Sequence, residues 1–392
     1  MIKYIPLLSL FAIGQVSAAE WVFKAQADPK FKYDDNELLR EDALSDFSLN
    51  IDPTLTFSRS LENSKNEVKM GYRISRYQDL KQLDKENPFF SISSSYATER
   101  STYGLSLSYE ERDSRDIAEQ DTADFSSTST TTTKSIAPSY RYRITELDTI
   151  STSLSYQERE QSGSSNSILN TLGSNLTDNQ TTSLNLAWQH QYTERFNGGI
   201  SLGYVNYEAQ SDRLDNTYDS YSVGLTSSYQ LSELWTLDGS LGMRYLKSEN
   251  TPSVGPSTSD NSSGLNYSLS TSRKDELNTY TLSASRALTP SSEGAVNQQD
   301  SYSLSFKRDL SEKMSTSISA KYSDYKNASD LTSTSTKYID LSPSLKWKLD
   351  EDWALNVSYR YRSVDEQDGQ NVDSNSVMFS IDYNWNGLRF SR

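Results

Sequence analysis

Trp235-Thr236-Leu237-Asp238-Gly239-Ser240-Leu241-Gly242-Met243-Arg244-Tyr245 alternates with a period of two. The odd positions are mostly apolar and the even ones are Thr, Asp, Ser, Gly and Arg. A strand turns successive side chains to opposite faces, so this stretch reads as a strand between an apolar and a polar surface. The pattern recurs in Ile339-Asp340-Leu341-Ser342-Pro343-Ser344-Leu345-Lys346-Trp347-Lys348-Leu349. It recurs again in Trp353 to Arg362, and in the stripe Val377, Phe379, Ile381, Tyr383 and Trp385. No sustained 3.6-residue periodicity competes with it.

Applied along the chain, the alternation and turn criteria give about eighteen such segments. Their spans are 21–33, 47–59, 65–77, 88–98, 101–111, 131–144, 147–158, 181–193, 196–208, 219–231, 234–247, 264–273, 277–287, 301–309, 312–324, 336–349, 352–363 and 375–386. Short connections such as Glu99-Arg100, Glu194-Arg195 and Asp350-Glu351 alternate with long ones such as 34–46, 112–130 and 159–180. Long and short in strict turn is the signature of a barrel crossing the bacterial outer membrane, with long loops outside and short turns in the periplasm. Hydrocarbon offers no partner to backbone N–H and C=O groups, so an open sheet cannot span it and a closed barrel can. The expected fold is therefore all-β: a single closed antiparallel transmembrane β-barrel of about eighteen strands, with fourteen or sixteen as alternatives. A soluble array of propeller, sandwich or solenoid type is the competing architecture. The chain shows no strict internal repeat, and its apolar stripe is aromatic rather than rich in Val, Ile and Leu.

Composition fits this picture. The chain has 392 residues, 34% of them hydrophobic, with 26 Tyr and 6 Trp. Mean hydropathy is -0.72, which by itself points to a soluble or disordered chain, but disorder is poor in aromatics. Lipid touching only alternate residues of each strand explains both values. Trp21, Trp188, Trp235, Trp347, Trp353 and Trp385 lie in the outer parts of their segments, where interfacial aromatic girdles form. Residues 1–18, MIKYIPLLSLFAIGQVSA, carry a Lys, an apolar run and small residues before Ala19, the pattern of a secretory signal peptide. The barrel then takes residues 19–392.

With no cysteine, the chain has no disulfide, thiolate metal site or cysteine nucleophile. One histidine, His190, excludes a multi-histidine metal centre, and no cofactor is expected. The net charge of -15 argues against nucleic acid as a partner. On the polar phase, the basic candidates for lining the lumen are Arg73, Arg141, Arg143, Arg244, Lys346, Lys348, Arg360 and Arg362. Acids of that phase are fewer: Asp28, Asp52, Asp238, Asp340 and Asp382. A net basic wall would select anions, whereas pairing of these Arg, Lys and Asp residues would neutralise it. The acidic excess falls in loops, above all Asp34 to Asp46, whose spacing does not match a calcium-binding loop and which reads as solvated.

Three functions follow as expectations. The first is a porin-like channel or export conduit, with an anionic solute or polysaccharide as cargo. The second is a structural or surface-receptor barrel without conduction. The third is an outer-membrane hydrolase. By phase, His190 follows Leu186 and Trp188 onto the lipid or headgroup side, and no nucleophile or acid is singled out beside it, so the chain is not expected to be an enzyme. The expected surroundings are outer-membrane lipid and lipopolysaccharide, with the barrel-assembly machinery as a folding partner. Gly387 and Phe390 match part of a terminal assembly signal, Arg392 does not, and the alternation changes phase at Asn386-Gly387, as at a bulge or turn.

Ser285 to Gly294, followed by Tyr302 to Ser311, resembles the central hairpin of uncharacterised outer-membrane β-barrels associated with exopolysaccharide and protein-sorting loci. Asp52-Pro53-Thr54-Leu55-Thr56-Phe57-Ser58-Arg59 is similar to that group as well. The resemblance covers about thirty residues in motif. It implies a role in envelope traffic, such as polymer export, and it implies no catalytic residue. The barrels that sheath multihaem electron conduits are a poorer match, being larger and in some cases carrying a cysteine motif that is missing here.

Overall fold

The computed structural model describes residues 19–121, 125, 129–162, 177–210, 214–291, 294–328, 335–366, 371–383, 385 and 387–391. The signal-peptide reading of residues 1–18 lies outside them. The chain forms a closed antiparallel barrel of 18 strands. We number them β1 (Glu20–Gln26 and Pro29–Asp34), β2 (Asp46–Ile51 and Thr54–Leu61), β3 (Ser64–Tyr77), β4 (Lys85–Ala97), β5 (Ser101–Asp113) and β6 (Thr130–Arg143). Next come β7 (Asp148–Ser162), β8 (Asp178–Thr193), β9 (Phe196–Gln210), β10 (Leu214–Gln230), β11 (Trp235–Pro252) and β12 (Thr258–Lys274). The last six are β13 (Asn278–Pro290), β14 (Val296–Asp309), β15 (Met314–Asn327), β16 (Ser335–Lys348), β17 (Trp353–Glu366) and β18 (Asn371–Tyr383 and Leu388–Ser391). Each strand pairs with its sequence neighbours, and β1 closes on β18 through Trp21 opposite Phe390 and Phe31 opposite Phe379. All eighteen segments expected from the alternation are present.

The two faces separate as the period of two dictates. On β11, Leu241 and Met243 are 58% and 65% exposed, while Arg244, Leu246 and Ser248 on the other phase are buried. The exposed stripe of Leu, Ile, Val and aromatic side chains continues around the outside of the barrel. This is the lipid-facing surface, and the opposite phase faces the lumen. All six tryptophans lie toward the short-turn ends of their strands, so they form one girdle, at the periplasmic side. Trp353 packs on Tyr383 at 4.6 Å and Trp21 on Phe57 at 5.3 Å.

The eight short turns are alike in sequence, and all but the first share one hydrogen-bonded construction. Seven of them start at Thr98, Thr145, Thr193, Ser232, Asp275, Ser311 and Asp350, and in each the side-chain oxygen accepts a backbone N–H two or three residues on. These local bonds stand in for the ladder at the hairpin tip. The second residue of all eight turns is a glutamate, from Glu62 to Glu351, and every one is exposed.

At the other end the strands run past the expected limits. β11 and β12 stay paired as far as Asn250 opposite Thr258, although residues 248–263 read as a loop. The bilayer imposes alternation only within its thickness. Beyond it both faces of a hairpin are wet, and the ladder continues with no hydrophobic pattern to mark it. The loop after β5 also contains a helix, α1 (Ser114–Asp121), which the alternation did not indicate.

The closure seam is irregular. Phe23 opposes Leu388 and Lys30 opposes Ser380, so eight residues of β18 span what seven of β1 span. The extra residue falls where the alternation changes phase. Gly387 there has φ +78°, and a Cβ on it would lie 2.4 Å from the Phe23 carbonyl oxygen, so only glycine fits.

Candidate functional site

The extracellular mouth of the lumen is filled by loops that fold inward. The first is the acidic stretch after β1. Asp35 accepts the Asn375 N–H at 2.6 Å and its side-chain amide at 2.9 Å, and Asn36 donates to the Asp373 carbonyl at 3.1 Å. These bonds tie the loop to β18, and Leu39 takes a left-handed φ of 47° to complete the turn. Asn36, Glu37, Leu38 and Leu39 are all buried. The expectation that this loop is merely solvated is therefore not met. Asp34 and Glu37 are paired with nearby Lys32 and also with Arg362 and Arg115, cations far away in the chain that no local spacing reveals.

The second is the connection from β5 to β6. Asp113 caps α1 by accepting the Arg115 N–H at 3.1 Å. The same carboxylate takes the Arg115 guanidinium in a fork, at 3.1 and 2.8 Å. Burial works against the Arg115 charge, but this fork outweighs it and holds the group protonated. Arg115 also lies 3.8 Å from Glu37 and over the Tyr77 ring, and Tyr77 donates to Glu37 at 3.0 Å. Further along, Phe125 is buried 5.5 Å from the Tyr338 ring and beneath the Arg362 guanidinium. Residues from β5 to β6 thereby reach β16 and β17 on the far wall. With Leu39, Ala118, Tyr325 and Val364 they form an apolar cluster inside the barrel.

One chain of charges runs through both loops. Arg115 meets Glu37, Glu37 meets Lys32 at 2.6 Å, and Lys32 meets Asp34 at 3.6 Å. Asp34 in turn meets Arg362 at 3.0 Å and accepts the Ser374 hydroxyl at 2.7 Å. Asp34 is 1% exposed, so its charge is tolerable only because it is paired and hydrogen-bonded.

Below this layer lies a cavity of about 680 Å³. It is lined by Arg73, Arg360 and Arg362, and also by Lys30, Lys85, Asp52 and Asp340. Most of its charge is paired: Lys30 with Asp52 at 2.7 Å, Arg73 with Glu110 at 3.2 Å and Arg360 with Asp340.

The remaining rim is closed differently. The Tyr207 hydroxyl donates to the Ser291 carbonyl at 2.7 Å, and Asn216 donates to the Gly294 carbonyl at 2.8 Å. These bonds pull the β13–β14 loop over β9 and β10. Tyr207, Ala209, Tyr218, Leu246, Val296 and Ala328 form a second inward apolar cluster. Beneath it Arg244 donates to Asn266 at 2.9 Å and to Gln298 at 2.8 Å, lying flat in space that the missing side chain of Gly264 leaves.

Of the eight basic residues expected to line the lumen, Arg73, Arg360 and Arg362 come together at the cavity. Arg244 lies apart, under the second cluster. Arg141, Arg143, Lys346 and Lys348 lie in the periplasmic half of their strands, where Lys346 pairs with Asp382 at 2.9 Å and Arg143 donates to the Glu99 carbonyl. Of the side chains that fill the mouth, Asp34 and Glu37 were read from sequence only as solvated loop acids, and Asp113, Arg115 and Phe125 were not singled out. They sit at strand ends and in loops, where no periodicity marks a direction.

His190 is on the outer surface, between Trp188 at 6.0 Å and Tyr192 at 4.7 Å, with its Nδ1 2.8 Å from Asp148. Among the described residues no group of three His, Cys, Asp or Glu side chains is arranged to hold a metal ion.

No family model matches this chain, and no curated protein matches it. Solved structures do. The chain is similar to the unliganded ferric citrate transporter FecA, with a TM-score of 0.54 and 11% identity over 91% of this chain and 61% of that one. It therefore spans less than two thirds of that transporter. It is also similar to the ferric-catecholate import receptor Fiu of E. coli, with a TM-score of 0.51 and 9% identity over 94% of this chain and 82% of that one. The siderophore receptor PiuA from Acinetobacter baumannii gives a TM-score of 0.50 and 11% identity over 91% and 69%. At such identities the likeness is one of fold. Together with the closed wall and its lipid-facing stripe, it defines the class: this chain is a β-barrel of the Gram-negative outer membrane.

Proposed function

We propose that this barrel is a passive channel for small polar solutes, with a preference for anions. The observation that carries the reading is the division of charge along the lumen. At the constriction the cations are paired with Asp34, Glu37, Asp52, Asp113 and Asp340, so that layer narrows the path without choosing a sign. In the periplasmic half Arg141, Lys348, Lys24 and Lys69 face the lumen with no acidic partner among the described residues, which supports an anion preference set there. His190, turned to the membrane side, supports a conduit over a hydrolase. Outer-membrane lipid, lipopolysaccharide and the barrel-assembly machinery belong to this reading as surroundings and folding partner. Polymer export, which the sequence resemblance implies, requires both inward loops to leave the mouth.

Reversal potentials in planar bilayers under a potassium chloride gradient test the proposal. The wild-type protein should conduct and favour chloride, and the pair Arg141→Glu with Lys348→Glu should shift the preference toward potassium. A correctly folded barrel with no conductance would transfer the reading to a structural or receptor barrel. Unchanged selectivity in the double variant would sink the assignment of the periplasmic cations.

A further inference from the structure

On the extracellular side the wall parts between β12 and β13. Their ladder ends at Tyr267 opposite Arg286, after eight pairs, where the β11–β12 ladder beside it runs for sixteen. Above Tyr267, residues 258–266 of β12 pair only with β11 among the described residues. Ala287, Leu288, Thr289 and Pro290 of β13 pair only with β14. Side chains bridge the parting in place of backbone. Arg244 donates to Asn266 on one side and to Gln298 on the other, and the Ser262 hydroxyl donates to the Ala328 carbonyl at 3.2 Å.

The upper part of the β13–β14 hairpin has moved inward, behind β12. Lower on the same strands Leu282 and Leu304 point outward. Leu288, Val296 and Gln298 share their phase, yet all three meet inward-facing groups. Leu288 and Val296 pack with Tyr207 and Leu246, and Gln298 accepts from Arg244. The Ser291 and Gly294 carbonyls are held by Tyr207 on β9 and Asn216 on β10. The outer face of the hairpin thus lies on the inner face of β9, β10 and β11. At the point of departure Arg286 forks onto Asp300 at 2.5 and 2.8 Å, which braces the two strands so that they turn as a unit.

This departure leaves β12 with an edge that lacks a ladder partner among the described residues, and such an edge is a template for a strand. The hairpin itself fits it. Continuing the register beyond Tyr267–Arg286 sets Leu265 opposite Leu288 and Ser263 opposite Pro290, outward residue against outward residue. One hairpin therefore has two seats that agree with its phase: on the inner face of the wall, through side-chain bonds and an apolar cluster, or in the wall, through backbone pairing.

We propose that the β13–β14 hairpin is a lid that swings between these seats, closing its side of the mouth in the inward seat and opening it when Ala287–Pro290 joins the edge of β12. The movement is independent of the loops docked through Asp34. The chain has no cysteine, so Ser263→Cys with Pro290→Cys introduces its only two thiols. In the inward seat the wall lies between them, because Pro290 adjoins Ser291, which is bonded to Tyr207 three strands from β12. A disulfide needs Cα atoms within roughly 7 Å, so it forms only in the wall seat. The protein in phosphatidylcholine vesicles is oxidised with copper phenanthroline, and the cross-linked peptide is followed by mass spectrometry. The disulfide should accumulate, and Tyr207→Phe, which removes one bond of the inward seat, should speed its formation several-fold. Oxidation should raise the unit conductance several-fold in planar bilayers, and a thiol reductant should reverse the rise. Thiols that stay unjoined in a folded barrel, with and without Tyr207→Phe, would overturn the proposal. So would joined thiols with the conductance of the reduced form. If neither form conducts, the channel reading fails, and the cross-link alone decides whether the hairpin moves.

Discussion

The two ends of this barrel solve the problem of reversing a chain in opposite ways. At the periplasmic end one local device is repeated. A Thr, Ser or Asp oxygen caps the next backbone N–H groups, a glutamate follows, and the ladder resumes. The cap of each such turn comes from within the turn itself. At the extracellular end the described inward loops are each held differently, by residues far away in the chain. Asp34 is held by Arg362 and Ser374, and Tyr207 holds Ser291. The difference teaches where cooperativity lies. A turn can fail alone, whereas removing one member of the mouth leaves its partners buried without compensation.

That contrast can be tested by substitution at each end. The largest effect is expected for Arg362→Ala. It removes the guanidinium that pairs with Asp34 and covers Phe125, leaving a carboxylate that is 1% exposed with Lys32 at 3.6 Å, the Ser374 hydroxyl and the Asn36 N–H. The docking of the first loop should weaken by about 3 kcal/mol, the usual cost of breaking a buried pair. Limited proteolysis should then cut within residues 35–45 while the barrel itself resists. Cleavage no faster than in wild type would show that the network does not hold the loop.

A smaller effect is expected for Tyr207→Phe. The ring stays in its cluster and the bond to the Ser291 carbonyl is lost, a cost of about 1 kcal/mol. Hydrogen exchange should rise at Ala295, whose N–H bonds back to Ser291, and remain unchanged at residues 35–45. A rise in both places would join the two clusters into one unit.

The smallest effect belongs to the periplasmic end. Hydrogen bonds from the backbone and side chain of Asn278, and from the Leu277 N–H, hold the Asp275 carboxyl below the usual carboxylate range. Its contribution is therefore present above the ordinary carboxylate pKa and is lost as pH falls through the lowered value. Asp275→Ala should leave function and melting at neutral pH nearly untouched and flatten the acid limb of the stability profile. A large loss at neutral pH would show that the turns depend on one another after all.

The same contrast explains what could be read from the sequence. Within the bilayer, lipid on one side and water on the other write a period of two into every strand, so all eighteen segments were legible, as was the outward placement of His190. The register change at Gly387 was legible too, because a bulge moves the apolar stripe to the other phase. Outside the bilayer the constraint lapses. The ends of β11 and β12, the helix at Ser114–Asp121 and the inward turn of the acidic loop left no periodic trace. Besides nearby Lys32, the partners of Asp34 and Glu37 are Arg362 and Arg115, remote in sequence, so these acids read as solvated when they are buried. The basic wall was legible as a list of residues but not as a distribution, because pairing at the constriction depends on those same loops.

The central claim is that the loops docked through Asp34 and Arg362 set the width of the path. Single-channel conductance of the wild-type protein and of Arg362→Ala, recorded side by side, tests it most directly. The account predicts a small, steady unit conductance for the wild type and a several-fold larger, fluctuating one for the variant, with ion preference nearly unchanged. Equal and equally steady conductances in two folded barrels would contradict it.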